Sequence, residues 1–319
     1  MPWVFRVSSA VSMFDFLIVG GGPAAVAAGV YAARKKLKTI LITEVWGGQS
    51  VVSAGIENWI GTKNVPGFDF AKMLEGHVRS QEDIEIVVSD TVIKVAKYDT
   101  HFIISTKKGN TYEAKTVFVA SGARRKKLGV PGEKELDGRG VAYCSTCDAP
   151  LFKDKDTAVI GGGNAGLEAV IDLLPYAKSV KVLEYGDTLK GDPVTQEKVR
   201  VSDKAEIIFH AETLEIFGSK FVEGLKYRDR VSADVKTLVL QGVFVEIGSV
   251  PNSDMVKDLV ETNKYGEIVV DHKNSRTSLL GIWAGGDVTD DPFKQNNISA
   301  GDGVKAALDA YNYLILGGK

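Results

Sequence analysis

One arrangement occurs twice in this sequence: an apolar strand, a glycine-rich turn, a helix and a second strand. In the first copy the run Phe16 to Val19 leads into Gly20-Gly21-Gly22-Pro23-Ala24-Ala25, an Ala-rich helical stretch follows to about Lys36, and a strand ends at Glu44. In the second, Ala158-Val159-Ile160 leads into Gly161-Gly162-Gly163-Asn164-Ala165-Gly166, a helix runs to about Leu174, and the strand Val180 to Leu183 ends at Glu184. Such a turn lets the backbone approach a pyrophosphate, which the N–H groups of the helix start receive. Glu44 and Glu184 each close the second strand roughly twenty residues past the turn, where an acid reaches a ribose hydroxyl. Gly20, Gly22, Pro23 and Ala24 therefore read as one dinucleotide cradle, and Gly161, Gly163, Asn164 and Gly166 as another. The first copy carries Ala25 in place of the third glycine, a substitution the fingerprint allows.

The rest of the chain is arranged around the two copies. Ile84 to Val119 alternates apolar and polar residues about the turn Lys108-Gly109-Asn110 and reads as a small antiparallel sheet ending in Ala120-Ser121-Gly122-Ala123. Ile207 to Leu240 repeats that pattern and ends in Val243 to Gly248. The segment Gly281 to Asp287, with a helix from about Ala300 to Leu314, has no counterpart in the first half. The fold class expected is α/β, with two Rossmann-like dinucleotide-binding domains sharing 319 residues.

Charge narrows the partners. A net charge of −2 with no basic stripe argues against nucleic acid and against an anionic membrane surface. No apolar run approaches a membrane span, and the opening residues 1–12 are too weakly apolar for a secretory signal; a cytoplasmic protein with a disordered tail before Met13 is expected.

The two cysteines, Cys144 and Cys147, stand in the run Cys-Ser-Thr-Cys-Asp. Two thiolates and four scattered histidines make a poor metal set, so no metal is expected. The spacing instead lets a dithiol close into a small ring and exchange two electrons with a partner. Exchange requires a thiolate, and Asp148, directly after the second cysteine, is the candidate proton shuttle.

In order along the chain, GGGPAA, EVWGGQ, ENWIG, CSTCDAPLF, IGGGNAGLEA, AGGDV and KQNNISAGDGVKAA resemble the low-molecular-weight thioredoxin reductases over essentially all of residues 13–319. The second half, including LKYRDRVSADVKTLVLQGVFVEIGSVPN, is also similar to the flavoprotein component of alkyl hydroperoxide reductase, whose N-terminal thioredoxin-like domains have no counterpart in this sequence. The resemblance implies an FAD domain of residues 13–122 and 249–319, with an NAD(P) domain of residues 123–248 inserted and carrying the cysteines. It implies Glu44 at the adenosine ribose of FAD, Gly47, Gly48, Gln49 and Asn58 near the flavin, and Asp287 at the ribityl-phosphate chain. Lys294-Gln295-Asn296 stands where the family has Arg-Gln-Ala against the pyrimidine end of the flavin. The Lys and Asn are mild departures if that contact is main-chain.

The implied reaction is thioredoxin-disulfide reduction. A pyridine nucleotide reduces FAD, FAD reduces the Cys144–Cys147 disulfide, and Cys144 attacks the disulfide of a thioredoxin-like or glutaredoxin-like protein while Cys147 faces the flavin. A domain rotation absorbed at Gly122, Gly138, Gly140 and the Gly248 region, and a homodimer, are implied likewise. The donor departs from the family's NADPH users, which carry His-Arg-Arg after the second nucleotide strand. Here the stretch is Leu183-Glu184-Tyr185-Gly186-Asp187, where a carboxylate suits a free ribose and repels a 2′-phosphate. NADH is the expected donor, with Lys181 and Lys190 as partial compensation for NADPH. Reduced ferredoxin or free flavin as donor, and a peroxiredoxin-system acceptor, are the alternatives.

Overall fold

The computed structural model describes residues 13–53 and 55–317; the tail expected over residues 1–12 lies outside them. In chain order the elements are β1 (Phe14–Val19), α1 (Pro23–Arg34), β2 (Thr39–Thr43), α2 (Gly67–Arg79), β3 (Ile84–Val88), β4 (Val92–Tyr98), β5 (His101–Thr106), β6 (Thr111–Val119) and β7 (Ala123–Arg125). Next come β8 (Val141–Ala142), α3 (Ser145–Asp148), β9 (Asp156–Ile160), α4 (Asn164–Leu173), β10 (Ser179–Leu183), α5 (Pro193–Arg200) and β11 (Ala205–Ile208). The chain ends with β12 (Ala211–Phe217), β13 (Gly224–Asp229), β14 (Val235–Val239), β15 (Gly242–Val245), β16 (Ser249–Pro251), β17 (Ile282–Ala284) and α6 (Asn296–Ile315).

Two compact units emerge. The first holds the described residues up to Val51 with Gly67–Arg124 and those from Val250 onward; the second holds Val52–Pro66 and Arg125–Ser249. In the first, β3-β2-β1-β6-β17 form a parallel sheet, and the antiparallel hairpin β4-β5 joins the opening half of β6. The sheet is parallel because its strands are apolar on both sides: Phe16, Leu17 and Ile18 are fully buried, as are Ile40 and Leu41. Each such side chain contributes about 1.5–3 kcal/mol of burial.

The second unit repeats this plan as β11-β10-β9-β15-β8, all parallel, beside an antiparallel sheet β12-β13-β14. The expected antiparallel sheets are therefore smaller than their alternating sequence indicated. Ile84–Val88 and Ala205–Ile208 instead extend the parallel sheets, pairing with β2 and β10. As edge strands they expose one face, which produces the same alternation as an antiparallel ribbon.

The outermost strand position reveals how the copies diverged. In the first unit it is filled by β17 from the end of the chain, and in the second by β8 from the unit's own beginning. The C-terminal segment without a counterpart in the first half thus has a spatial counterpart in the second.

Candidate active site

Parallel sheets place their functional loops at the carboxyl ends of the strands. In the first unit β1 runs into Gly20–Gly22, β2 into the exposed Glu44, β6 into Ala120 and β17 into Gly285–Asp287. Gly20 takes φ +122°, and a Cβ there would lie 2.2 Å from the Ala120 carbonyl oxygen, so the turn can close only around glycine. A Cβ at Gly22 would meet nothing within 4 Å, which leaves space in front of α1, whose start has no side-chain cap and no acid in its first turn. A dinucleotide pyrophosphate fits that opening.

Residues far apart in sequence meet beside it. Gln49 Nε2 donates to Asp287 Oδ2 at 3.1 Å, and Ser50 Oγ donates to Asn296 Oδ1 at 2.9 Å at the start of α6. Gly47 and Gly48 precede Gln49 in the same loop, and Gln295 stands at the N-cap of α6. Lys294 is occupied elsewhere, in an ion pair with Glu267 at 3.0 Å and a hydrogen bond to the Thr289 carbonyl. Its side chain is thereby committed to Glu267 and Thr289. Asn58 lies in the 52–66 segment that groups with the second unit.

In the second unit four loops leave the same sheet edge. β9 runs into Gly161–Gly163, β10 into Glu184, β15 into Glu246, and β8 into the cysteine pair. Gly161 repeats the tight turn, with φ +115° and a notional Cβ 2.5 Å from the Glu246 carbonyl oxygen. Gly163 is open like Gly22, and α4 again starts without a side-chain cap. Asn164 Oδ1 accepts the Asp192 N–H at 2.7 Å, which fixes the loop ahead of α5. Gly166 differs from Ala25, its equivalent, because a Cβ at 166 would lie 1.8 Å from the Gly161 carbonyl oxygen. Gly166→Ala is expected to destabilise the second unit by about 1–3 kcal/mol, as overpacking does. Urea unfolding of the variant beside the parent protein measures this.

Glu184 is buried, and both its oxygens are engaged: Oε2 accepts the Gly162 N–H at 2.7 Å and Oε1 the Gly186 N–H at 2.8 Å. The acid shapes the turn it borders. Each oxygen keeps a second lone pair, so a ribose hydroxyl can still donate to it. Lys181 is paired with Glu206 on β11, and Arg230 stacks on Tyr185 at 3.9 Å while donating to the Tyr185 carbonyl at 3.0 Å.

Cys144 and Cys147 form a disulfide, with Cα atoms 5.4 Å apart. Cys144 caps α3 in extended conformation, and Cys147 and Asp148 lie within that single helical turn. Burial pushes the Asp148 carboxyl up to about 6, with a hydrogen bond from Ser53 opposing and Asp137 adding to the rise. Proton transfer near neutral pH is most effective from such a group. Three further residues, which no sequence motif marks, belong to this surround: Ser53, Asp172 and Glu246. Glu246 is buried, and its carboxyl is pushed up to about 7 by that burial; Arg125 at 3.8 Å opposes, and Asp172, Asp148 and Glu168 add to the rise.

The family model described as pyridine nucleotide-disulphide oxidoreductase matches residues 14–307, both parallel sheets and the cysteine pair included. The chain belongs to that family. The F component of alkyl hydroperoxide reductase from Staphylococcus aureus (strain MRSA252) is 43% identical over 302 residues, which is 95% of this chain and 59% of that protein. A protein of Bacillus subtilis (strain 168) named NADH dehydrogenase is 44% identical over 302 residues, with the same coverage. The chain thus spans about three fifths of the length of these curated relatives. The solved structure of thioredoxin reductase from Streptococcus pyogenes MGAS5005 matches with a TM-score of 0.89 at 34% identity, covering 96% of this chain and 100% of that one. The chain has the thioredoxin-reductase-like α/β fold, and its two uncapped helix starts leave room for two dinucleotides.

Proposed function

We propose that the protein passes electrons from NADH through FAD and the Cys144–Cys147 disulfide to the disulfide of a thioredoxin-like or glutaredoxin-like protein. The observation that carries this reading is the position of the disulfide: it leaves the same sheet edge as the nucleotide turn and is followed at once by a carboxyl raised to about 6. FAD would be held by Gly20, Gly22, Pro23 and Ala24 at the pyrophosphate and by Glu44 at the ribose. Gly47, Gly48, Gln49, Asp287 and the 294–296 backbone would complete its site. Gly161, Gly163, Asn164, Gly166 and Glu184 would hold NADH. Bound FAD supplies the chemistry that accepts a hydride and releases two electrons to a disulfide. Asp148 would take the proton from the thiol that attacks the partner and return it when the disulfide reopens.

NADH is favoured over NADPH by the burial and bonding of Glu184. A 2′-phosphate placed against this carboxylate would face a charge that cannot swing away, because two backbone N–H groups hold it. Of the nearby cations, Lys181 is paired with Glu206, and Arg230 is stacked on Tyr185 and bonded to its carbonyl. Turnover with NADH is expected to exceed that with NADPH by at least tenfold in kcat/KM, measured side by side with thioredoxin as acceptor. Comparable values, or faster NADPH, would overturn the donor assignment. The intact Gly161–Gly166 turn weighs against a ferredoxin or free-flavin donor.

A second acceptor is favoured by the relatives named for alkyl hydroperoxide reductase: the disulfide of a peroxiredoxin, or of the carrier that serves one. Peroxide-dependent NADH oxidation with a peroxiredoxin present and thioredoxin omitted would distinguish the two. The proposal includes a homodimer, which sedimentation of the purified protein checks, and a cytoplasmic location, which fractionation of the host cell checks.

A further inference from the structure

The two residues between the cysteines are both tied to one acid. Asp172 Oδ2 accepts Ser145 Oγ at 2.8 Å and Thr146 Oγ1 at 3.2 Å. Asp172 stands near the end of α4, the helix that starts at the nucleotide turn. That helix is a firm support, since Leu167, Val170 and Leu173 are fully buried and Gly166 sits against the Gly161 carbonyl. We propose that Asp172 is a positioning residue for the redox pair: it holds the Ser145-Thr146 turn in its closed form whether or not the sulfurs are bonded, and so keeps the pair strongly reducing. The proposal rests on the pair being redox-active, as in the proposed reaction.

The physical reason is the proximity of the two thiols. Reduction breaks the S–S bond, adds two electrons and two protons, and leaves Cys144 and Cys147 connected only through the intervening turn. Among the backbone bonds of that turn, the Asp148 N–H donates to the Cys144 carbonyl at 3.0 Å. The hydroxyl bonds to Asp172 add two fixed points on the very residues that must move for the thiols to separate. Thiols kept close re-form their disulfide readily, which lowers the reduction potential of the couple. Releasing the turn raises it.

The test equilibrates the holoenzyme with mixtures of reduced and oxidised dithiothreitol and counts free thiols by alkylation after acid quench. The exchange is balanced: the protein disulfide gains two electrons and two protons as dithiothreitol closes into its cyclic disulfide. Asp172→Ala is expected to shift the midpoint about tenfold toward the dithiol, equivalent to about 30 mV. Asp172→Asn retains an acceptor oxygen and is expected to keep the parent midpoint. Ser145→Ala combined with Thr146→Ala leaves α4 untouched and is expected to match Asp172→Ala. A midpoint unchanged in both the Asp172→Ala and the double variant overturns the proposal, as does an Asp172→Asn shift equal to that of Asp172→Ala. Because neither NADH nor a protein acceptor enters the measurement, a failure of the donor or acceptor assignment leaves its outcome unaffected. A parent pair that neither excess dithiothreitol nor the stronger reductant dithionite opens would instead refute redox activity itself.

Discussion

Cys144→Ser is expected to abolish reduction of a protein disulfide, a loss on the order of 10³-fold or more, while NADH still bleaches the bound flavin. The reasoning follows the path of the sulfur atoms. The Cys144 thiolate attacks the partner disulfide and expels one partner thiolate; Cys147 then attacks Cys144, expels the second and restores the disulfide between positions 144 and 147. Serine at 144 removes the first step. Cys147→Ser removes the second, so Cys144 should remain joined to the partner as a stable mixed disulfide visible on a non-reducing gel. The two variants therefore test the order of the cysteines as well as their necessity. If Cys144→Ser traps the partner and Cys147→Ser does not, the roles are reversed; if both retain turnover, the pair is structural.

What could be read from the sequence was whatever depends on local backbone geometry. The turns at Gly20 and Gly161 are visible because no other residue closes them, and the cysteine pair is visible because its spacing is its chemistry. Residues acting across strands left no comparable trace. Asp172 has the sequence appearance of a solvated helical acid, and Glu246 that of a polar residue ending an apolar strand. Only the parallel order β10-β9-β15-β8 brings Glu246 to the edge from which the cysteines emerge. β8 itself, two residues long, is too short to show any periodicity, yet it sets the height at which Cys144 leaves the sheet. The correspondence of β8 with β17 was hidden for the same reason: equivalent places are filled from opposite ends of the two units' sequences.

Asp148→Asn is expected to lower disulfide exchange by about 10²-fold or more and to erase a pH limb near 6. The direction follows from the work the carboxyl does. Below pH 6 it holds its proton and cannot take one from the attacking thiol, so the parent rate should rise as pH increases through that value. Asparagine has no such transition, and the variant's profile should follow only the thiol. Stability should move the other way. A carboxyl whose folded pKa is raised from 3.8 to about 6 favours folding most below pH 3.8, and that contribution is lost as pH rises through 6. At pH 7 the variant, which no longer buries a charge there, should unfold at a higher temperature than the parent, and the difference should vanish near pH 3.8. A residue that merely braced the cysteine turn would lose activity and stability together. Activity falling while stability at neutral pH rises is the signature of a carboxyl retained for proton transfer, and a variant that is both slower and less stable at pH 7 would remove Asp148 from the mechanism.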